Sequence, residues 1–230
     1  MMSASVIAVT RDVSPCNQVE WEAMARWEPD ARGRLEKAAM ELFEEHGYET
    51  TTVEEIAARA GLTERTFFRY FADKREVLFS GSKNLEKTIV DRIEGAPEEA
   101  GPLDIVAAAL EAAGRALQEH REMRFVRARY ALVTRHSEIQ ERELIKLASL
   151  ASAIAKALRK RGISEPAASL AAEAGIAVFK VGFERWVTEK KPQGLDAHIR
   201  AAVGALRAVA AGEKTPNPRA VPKKKRIRRA

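Results

Sequence analysis

Between Thr51 and Lys74 the chain sets hydroxyls, arginines and aromatic rings at spacings suited to gripping a phosphate backbone and reading base edges. Glu64, Arg65, Phe68 and Arg69 fall on one side of a short helix, and Phe67 and Phe71, one turn apart, anchor its other side. Arginine pairs with phosphate oxygens or with guanine. Hydroxyls at Thr51, Thr52, Thr63 and Thr66 add phosphate donors, and a phenyl ring can touch a thymine methyl. Such chemistry needs a helix held at a fixed angle. Thr52-Val53-Glu54-Glu55 reads as a capping box opening a first helix, whose Val53, Ile56, Ala57 and Ala60 make one apolar face. Gly61 then supplies a positive φ for the reversal, and Thr63 caps the second helix. The expected motif is a helix-turn-helix over 52–71, with its second helix lying in the major groove. A plain helical hairpin inside a bundle is the competing reading, and two exposed arginines beside aromatics argue against it.

Charge alone does not point to nucleic acid. The chain of 230 residues carries +6, but residues 213–230 hold eight Lys/Arg and one Glu, leaving −1 for residues 1–212. Residues 31–80 hold eight basic against ten acidic side chains, whereas Thr63–Arg75 holds four against two. Any grip on DNA must come from local placement of charge.

Apolar residues recur at helical spacing from Ala31 onward, and no alternating pattern competes, so the expected class is all-α with about nine helices. Leu35, Ala39, Leu42 and Phe43 form the first face, which His46-Gly47 ends. Asp73-Lys74-Arg75-Glu76 predicts a capping box opening one long helix through Val77, Leu78, Leu85, Ile89 and Ile93. Later helices are expected around Leu110, Tyr130, Leu147, Val178 and Val203, with Ser137 and Ser164 as caps and Pro166 in a first turn. The domain reading is a leader over 1–30 with one short helix after Asn17, a DNA-binding domain over 31–80, a ligand-binding and dimerisation domain over 81–212, and a disordered basic tail over 213–230.

The residues of 32–79 resemble the N-terminal domain of the TetR family of bacterial transcriptional regulators. The resemblance is carried by Ala39-Met40-Glu41-Leu42-Phe43-Glu44-Glu45-His46-Gly47, Thr51 to Ala57, Ala60-Gly61-Leu62-Thr63, Thr66-Phe67-Phe68-Arg69-Tyr70-Phe71 and Asp73-Lys74. It implies a homodimer on a palindromic double-stranded operator, usually a repressor released by a small-molecule effector. It also implies phosphate contacts from Thr52 and Lys74, base or phosphate contacts from Thr63, Glu64, Arg65, Thr66 and Arg69, and backbone contacts from Phe68, Tyr70, Arg32 and Arg34. Phe68 departs from the tyrosine frequent in the family, and phenylalanine cannot donate to phosphate.

In the second domain the expected ligand-pocket aromatics are Phe125, Tyr130, Phe179, Phe183 and Trp186, suited to an apolar or amphipathic molecule. The resemblance puts the dimer interface on the last two helices, where Ala171, Ala174, Ala177, Val178, Ala202 and Val203 offer small close-packing faces. The histidines at 46, 120, 136 and 198 lack zinc spacing, and no glycine-rich phosphate loop appears, so no enzyme, cofactor or metal is expected. One cysteine, Cys16, and no apolar run of membrane-spanning length suggest a cytoplasmic protein without a membrane partner; Val6–Val9 is too short for a signal peptide. The alternative function is a helical scaffold or nonspecific DNA-binding protein acting through its tail, whose deletion would then lower the salt slope of DNA binding.

Overall fold

The computed structural model describes residues 30–120, 122–190 and 192–213. The leader helix expected after Asn17, Cys16 and the basic run 214–230 lie outside the described residues. Among the described residues there are nine α-helices and no strand: α1 (Ala31–Glu45), α2 (Val53–Arg59), α3 (Glu64–Tyr70), α4 (Ser82–Glu94), α5 (Pro102–His120), α6 (Met123–Arg135), α7 (Ser137–Lys160), α8 (Ala167–Thr188) and α9 (Leu195–Ala210). A 3-10 turn, Glu76–Phe79, separates α3 from α4. None of these helices is long and apolar enough to cross a membrane.

That 3-10 turn corrects the continuous helix expected from Asp73 to Ile93. The Asp73 carboxylate accepts from the amides of Arg75 (2.8 Å) and Glu76 (3.1 Å), but the residue before the turn is Arg75, without a side-chain cap, and Glu76 pairs with Arg142 and Lys146. The turn lasts only to Phe79, because Ser80-Gly81-Ser82 is a run of weak helix formers and the Ser82 hydroxyl donates to the Phe79 carbonyl at 2.7 Å. Two other caps differ. Ser137 is already helical and His136 precedes α7 with no side-chain cap. At α8 the residue before the helix is Pro166, and the Glu165 carboxylate, rather than Ser164, takes the Ser169 amide.

Two cores result. Helices α4 to α9 enclose one, with Ile89, Leu110, Ile154, Leu158, Trp186 and Ile199 at its centre. Gly182 lets α8 approach α9 closely, since an added Cβ would stand 3.2 Å from the Ile199 backbone. The other core joins Leu35, Phe43, Tyr48, Ile56, Phe67, Phe71 and Phe79, and it takes in Val133 and Ile139 from the α6–α7 corner. Three short helices enclose little apolar volume by themselves, and the corner completes their core.

Candidate nucleic-acid interface

The capping box at the start of α2 closes in both directions. Thr52 Oγ1 accepts from the Glu55 amide at 3.2 Å, and the Glu55 carboxylate accepts from the Thr52 amide at 2.8 Å. These hydrogen bonds hold the Glu55 carboxyl below its ordinary value. Gly61 takes φ +66 between the helices, as the turn requires. Thr63, extended at φ −102, caps α3 by accepting from the Thr66 amide at 3.2 Å, and its hydroxyl lies 3.1 Å from that of Thr66.

Phe67 and Phe71 are buried, 5.4 Å apart, so α3 must turn Glu64, Arg65, Phe68 and Arg69 outward, and all four are exposed. Arg65 makes no hydrogen bond or ion pair with any described residue. Arg69 instead lies across Tyr70, with its guanidinium 5.0 Å from the ring centroid and a nitrogen donating to the Tyr70 hydroxyl at 3.3 Å. Phe68 is 55% exposed and meets Phe67 edge-on at 5.5 Å.

Other residues expected at DNA serve the fold. Thr51 is only 1% exposed, and its hydroxyl donates to the Gly47 carbonyl at 2.7 Å, because the α1–α2 loop needs an internal donor there. Arg34 donates to the Ala60 carbonyl through Nε at 3.1 Å, fastening α1 to the end of α2. Lys74 spends its ammonium on the carbonyls of Tyr48 (2.7 Å), Glu49 (3.1 Å) and Thr51 (3.1 Å) and sits 4.5 Å from the Tyr48 ring centroid. Arg32 donates to the Ser80 carbonyl at 3.1 Å. Of the residues expected at DNA, Thr52, Thr63 and the four outward residues of α3 are exposed, and Thr66 and Tyr70 are half-buried.

A family model for bacterial regulatory proteins of the tetR family matches residues 35–80. Over 81 residues the chain is 38% identical to the HTH-type transcriptional regulator TcmR of Streptomyces glaucescens, covering 35% of this chain and 36% of that protein. Over 70 residues it is 39% identical to HbdR of Aromatoleum, covering 29% of this chain and 31% of that protein. The matched stretch thus spans about a third of these relatives' length. Beyond it the fold itself is shared. A structure from Syntrophomonas wolfei assigned to the TetR family superposes with a TM-score of 0.58 at 18% identity, covering 82% of this chain and 98% of the other. SmeT, the repressor of the Stenotrophomonas maltophilia efflux pump SmeDEF, superposes with a TM-score of 0.52 at 21% identity, covering 77% and 89%.

Over residues 35–80 this chain is similar to the bacterial regulatory proteins of the tetR family.

The helices α1 to α3 are gripped by residues that sequence reading missed. Arg129 of α6 donates to the Leu78 carbonyl at 2.7 Å and stands 5.1 Å from the Phe79 ring centroid. Arg142 and Lys146 of α7 both pair with Glu76. Burial raises the Glu76 carboxyl, but the two cations outweigh it and hold the group below its ordinary value. The Tyr48 hydroxyl donates to Glu138 at 3.1 Å, and burial, then the neighbouring carboxylate, push that phenol up. His136 meets Glu49 at 2.9 Å. These partners lie 51 to 90 residues apart in the chain, and nothing at helical spacing announces them.

The expected pocket aromatics do not form one group. Tyr130, Phe179, Phe183 and Trp186 cluster, with centroids 5.7 to 6.2 Å apart along the chain of contacts through Phe183. Phe125, near the start of α6, packs instead on the core built around α1 to α3, with Arg124 over its ring. Trp186, 1% exposed, is a core residue. The expected dimer residues also divide. Ala171, Val178, Ala202 and Val203 are buried in the chain's own bundle, which corrects their assignment to a surface. Ala174 is half-buried and Ala177 exposed, on a face shared with Leu170 (66% exposed) and Val181 (45%).

Proposed function

We propose that this chain is a sequence-specific DNA-binding transcriptional regulator that works as a homodimer. The observation that carries this reading is the outward face of α3, where Arg65, Phe68 and Arg69 stand exposed on a helix anchored from behind by Phe67 and Phe71. Side chains so placed can enter a major groove, while Thr52 and Thr63 flank them with hydroxyls for phosphate. The identity to TcmR and HbdR over this region supports the same role.

The dimer is proposed through α8 and α9. Leu170, Ala174, Ala177 and Val181 recur at intervals of one turn on α8, and Ala201, Ala205 and the 64%-exposed Val209 do so on α9. A small-residue, apolar surface of this kind suits a second copy packed helix against helix. Two such copies present two α3 helices, so the operator is a palindrome whose half-sites are about one DNA turn apart, or a multiple of it. An apolar or amphipathic effector, taken up near Tyr130, Phe183 and Glu184, would release the DNA, making the protein a repressor. Glu184 lies against the Tyr130 hydroxyl and, after burial, raises that phenol.

Selection of binding sites from a random DNA pool at moderate salt tests this directly. A recovered palindrome is the expected result. Equal recovery of all sequences, both by the full chain and by the chain lacking residues 213–230, would overturn it.

A further inference from the structure

We propose that Phe68 reads the C5-methyl group of a thymine in each operator half-site. The inference rests on the DNA-reading role of α3 and names a contact that no hydrogen-bond donor supplies.

Phe68 is 55% exposed on a seven-residue helix whose other two phenylalanine neighbours, Phe67 and Phe71, are 0% and 3% exposed. A lone apolar side chain on a protein surface needs no explanation. This one stands among the charged side chains of the face turned to solvent. At helical spacing Arg65 and Arg69 project directly away from Phe67 and Phe71, and Phe68 lies on the flank of that face, three residues beyond Arg65. Its ring is already positioned, edge-on to the buried Phe67 ring at 5.5 Å and 84°. Little side-chain freedom is left to lose on binding.

A phenyl group has neither donor nor acceptor, so it cannot pair with a phosphate. Of the groups a base pair offers in the major groove, the thymine methyl is the apolar one, and phenylalanine is among the side chains that contact it. Arg65, which makes no hydrogen bond or ion pair with any described residue, precedes Phe68 on the same ridge. Three residues of helix advance about 4.5 Å, close to the roughly 3.4 Å between stacked base pairs. Arg65 and Phe68 therefore meet neighbouring pairs, the arginine a guanine and the ring a thymine.

The test uses the full chain and its selected operator. Each thymine is replaced in turn by deoxyuridine, which removes the methyl group alone, and affinities are measured for the wild type, Phe68→Ala and Phe68→Tyr. One position per half-site is expected to weaken wild-type binding about fourfold, the effect of one buried methyl group. The same replacement should leave Phe68→Ala unaffected and should still weaken Phe68→Tyr, which keeps the ring. A penalty equal in wild type and Phe68→Ala, or no penalty at any thymine, would overturn the inference and place the ring against sugar and phosphate. Selection of no operator would overturn the DNA-reading function itself, a failure distinct from the loss of methyl dependence alone.

Discussion

Arg65 and Arg69 occupy successive turns of α3 yet stand in different surroundings. Arg65 extends into solvent, whereas Arg69 is held across Tyr70. Arg65→Ala should weaken operator binding by about 1–3 kcal/mol and relax the preference at one base pair. Titration against single-base operator variants checks both effects; a uniform loss across all variants would make Arg65 a phosphate contact. Lys74 belongs to a different class. Its three carbonyl partners make it a brace for the α1–α2 loop. Lys74→Met should lower the stability of the DNA-binding domain by about 2–3 kcal/mol, the value of hydrogen bonds from a charged donor. Chemical denaturation measures that loss, and an unchanged midpoint together with weakened DNA binding would restore Lys74 to the phosphate backbone.

At the level of helices, the turn between α2 and α3 depends on Gly61 at φ +66. Gly61→Ala should cost about 1–2 kcal/mol, since a Cβ is disfavoured in the left-handed region. Its Cβ would also come within 3.4 Å of the Arg34 guanidinium that braces the same turn. A thermal melt of the variant checks this. The helix-turn-helix was legible in the sequence because every signal for it is local: a cap at Thr52, a face from Val53 to Ala60, Gly61, and a cap at Thr63. The stop at Phe79 was harder to read. The capping pattern at Asp73 outweighed the weak helix formers at Ser80-Gly81-Ser82, and the cations that fasten Glu76 and Leu78 come from α6 and α7.

Across the whole molecule, the two cores meet through that same clasp. Because the Glu76 carboxyl is held below its ordinary value of 4.5 in the folded chain, its contribution to stability is complete above about that pH. It is lost as the pH falls through the lower folded value. Denaturation midpoints should therefore drop less between neutral and acid pH in Glu76→Gln than in the wild type; parallel drops would remove Glu76 from the account. The dimer reading is tested at Val181, exposed on the α8 face. Val181→Glu should shift the chain towards monomer in sedimentation velocity and weaken operator binding with it. A dimer that survives the substitution would place the interface elsewhere.

The sequence by itself determined the all-α class, the limits of α2 and α3 and the outward side of α3, because each depends on residues within a turn or two of one another. Tertiary structure decided which candidate side chains remain available to a partner. Thr51, Arg34 and Lys74 have the chemistry of phosphate ligands, and backbone carbonyls brought near by folding take up their donors. Ala171, Val178, Ala202 and Val203 have the small size of an interface, and the packing of α5, α8 and α9 encloses them. Helical periodicity says which residues share a face. It does not say which neighbour covers that face, since the neighbour comes from a distant part of the chain and its choice rests on the packing of the whole bundle.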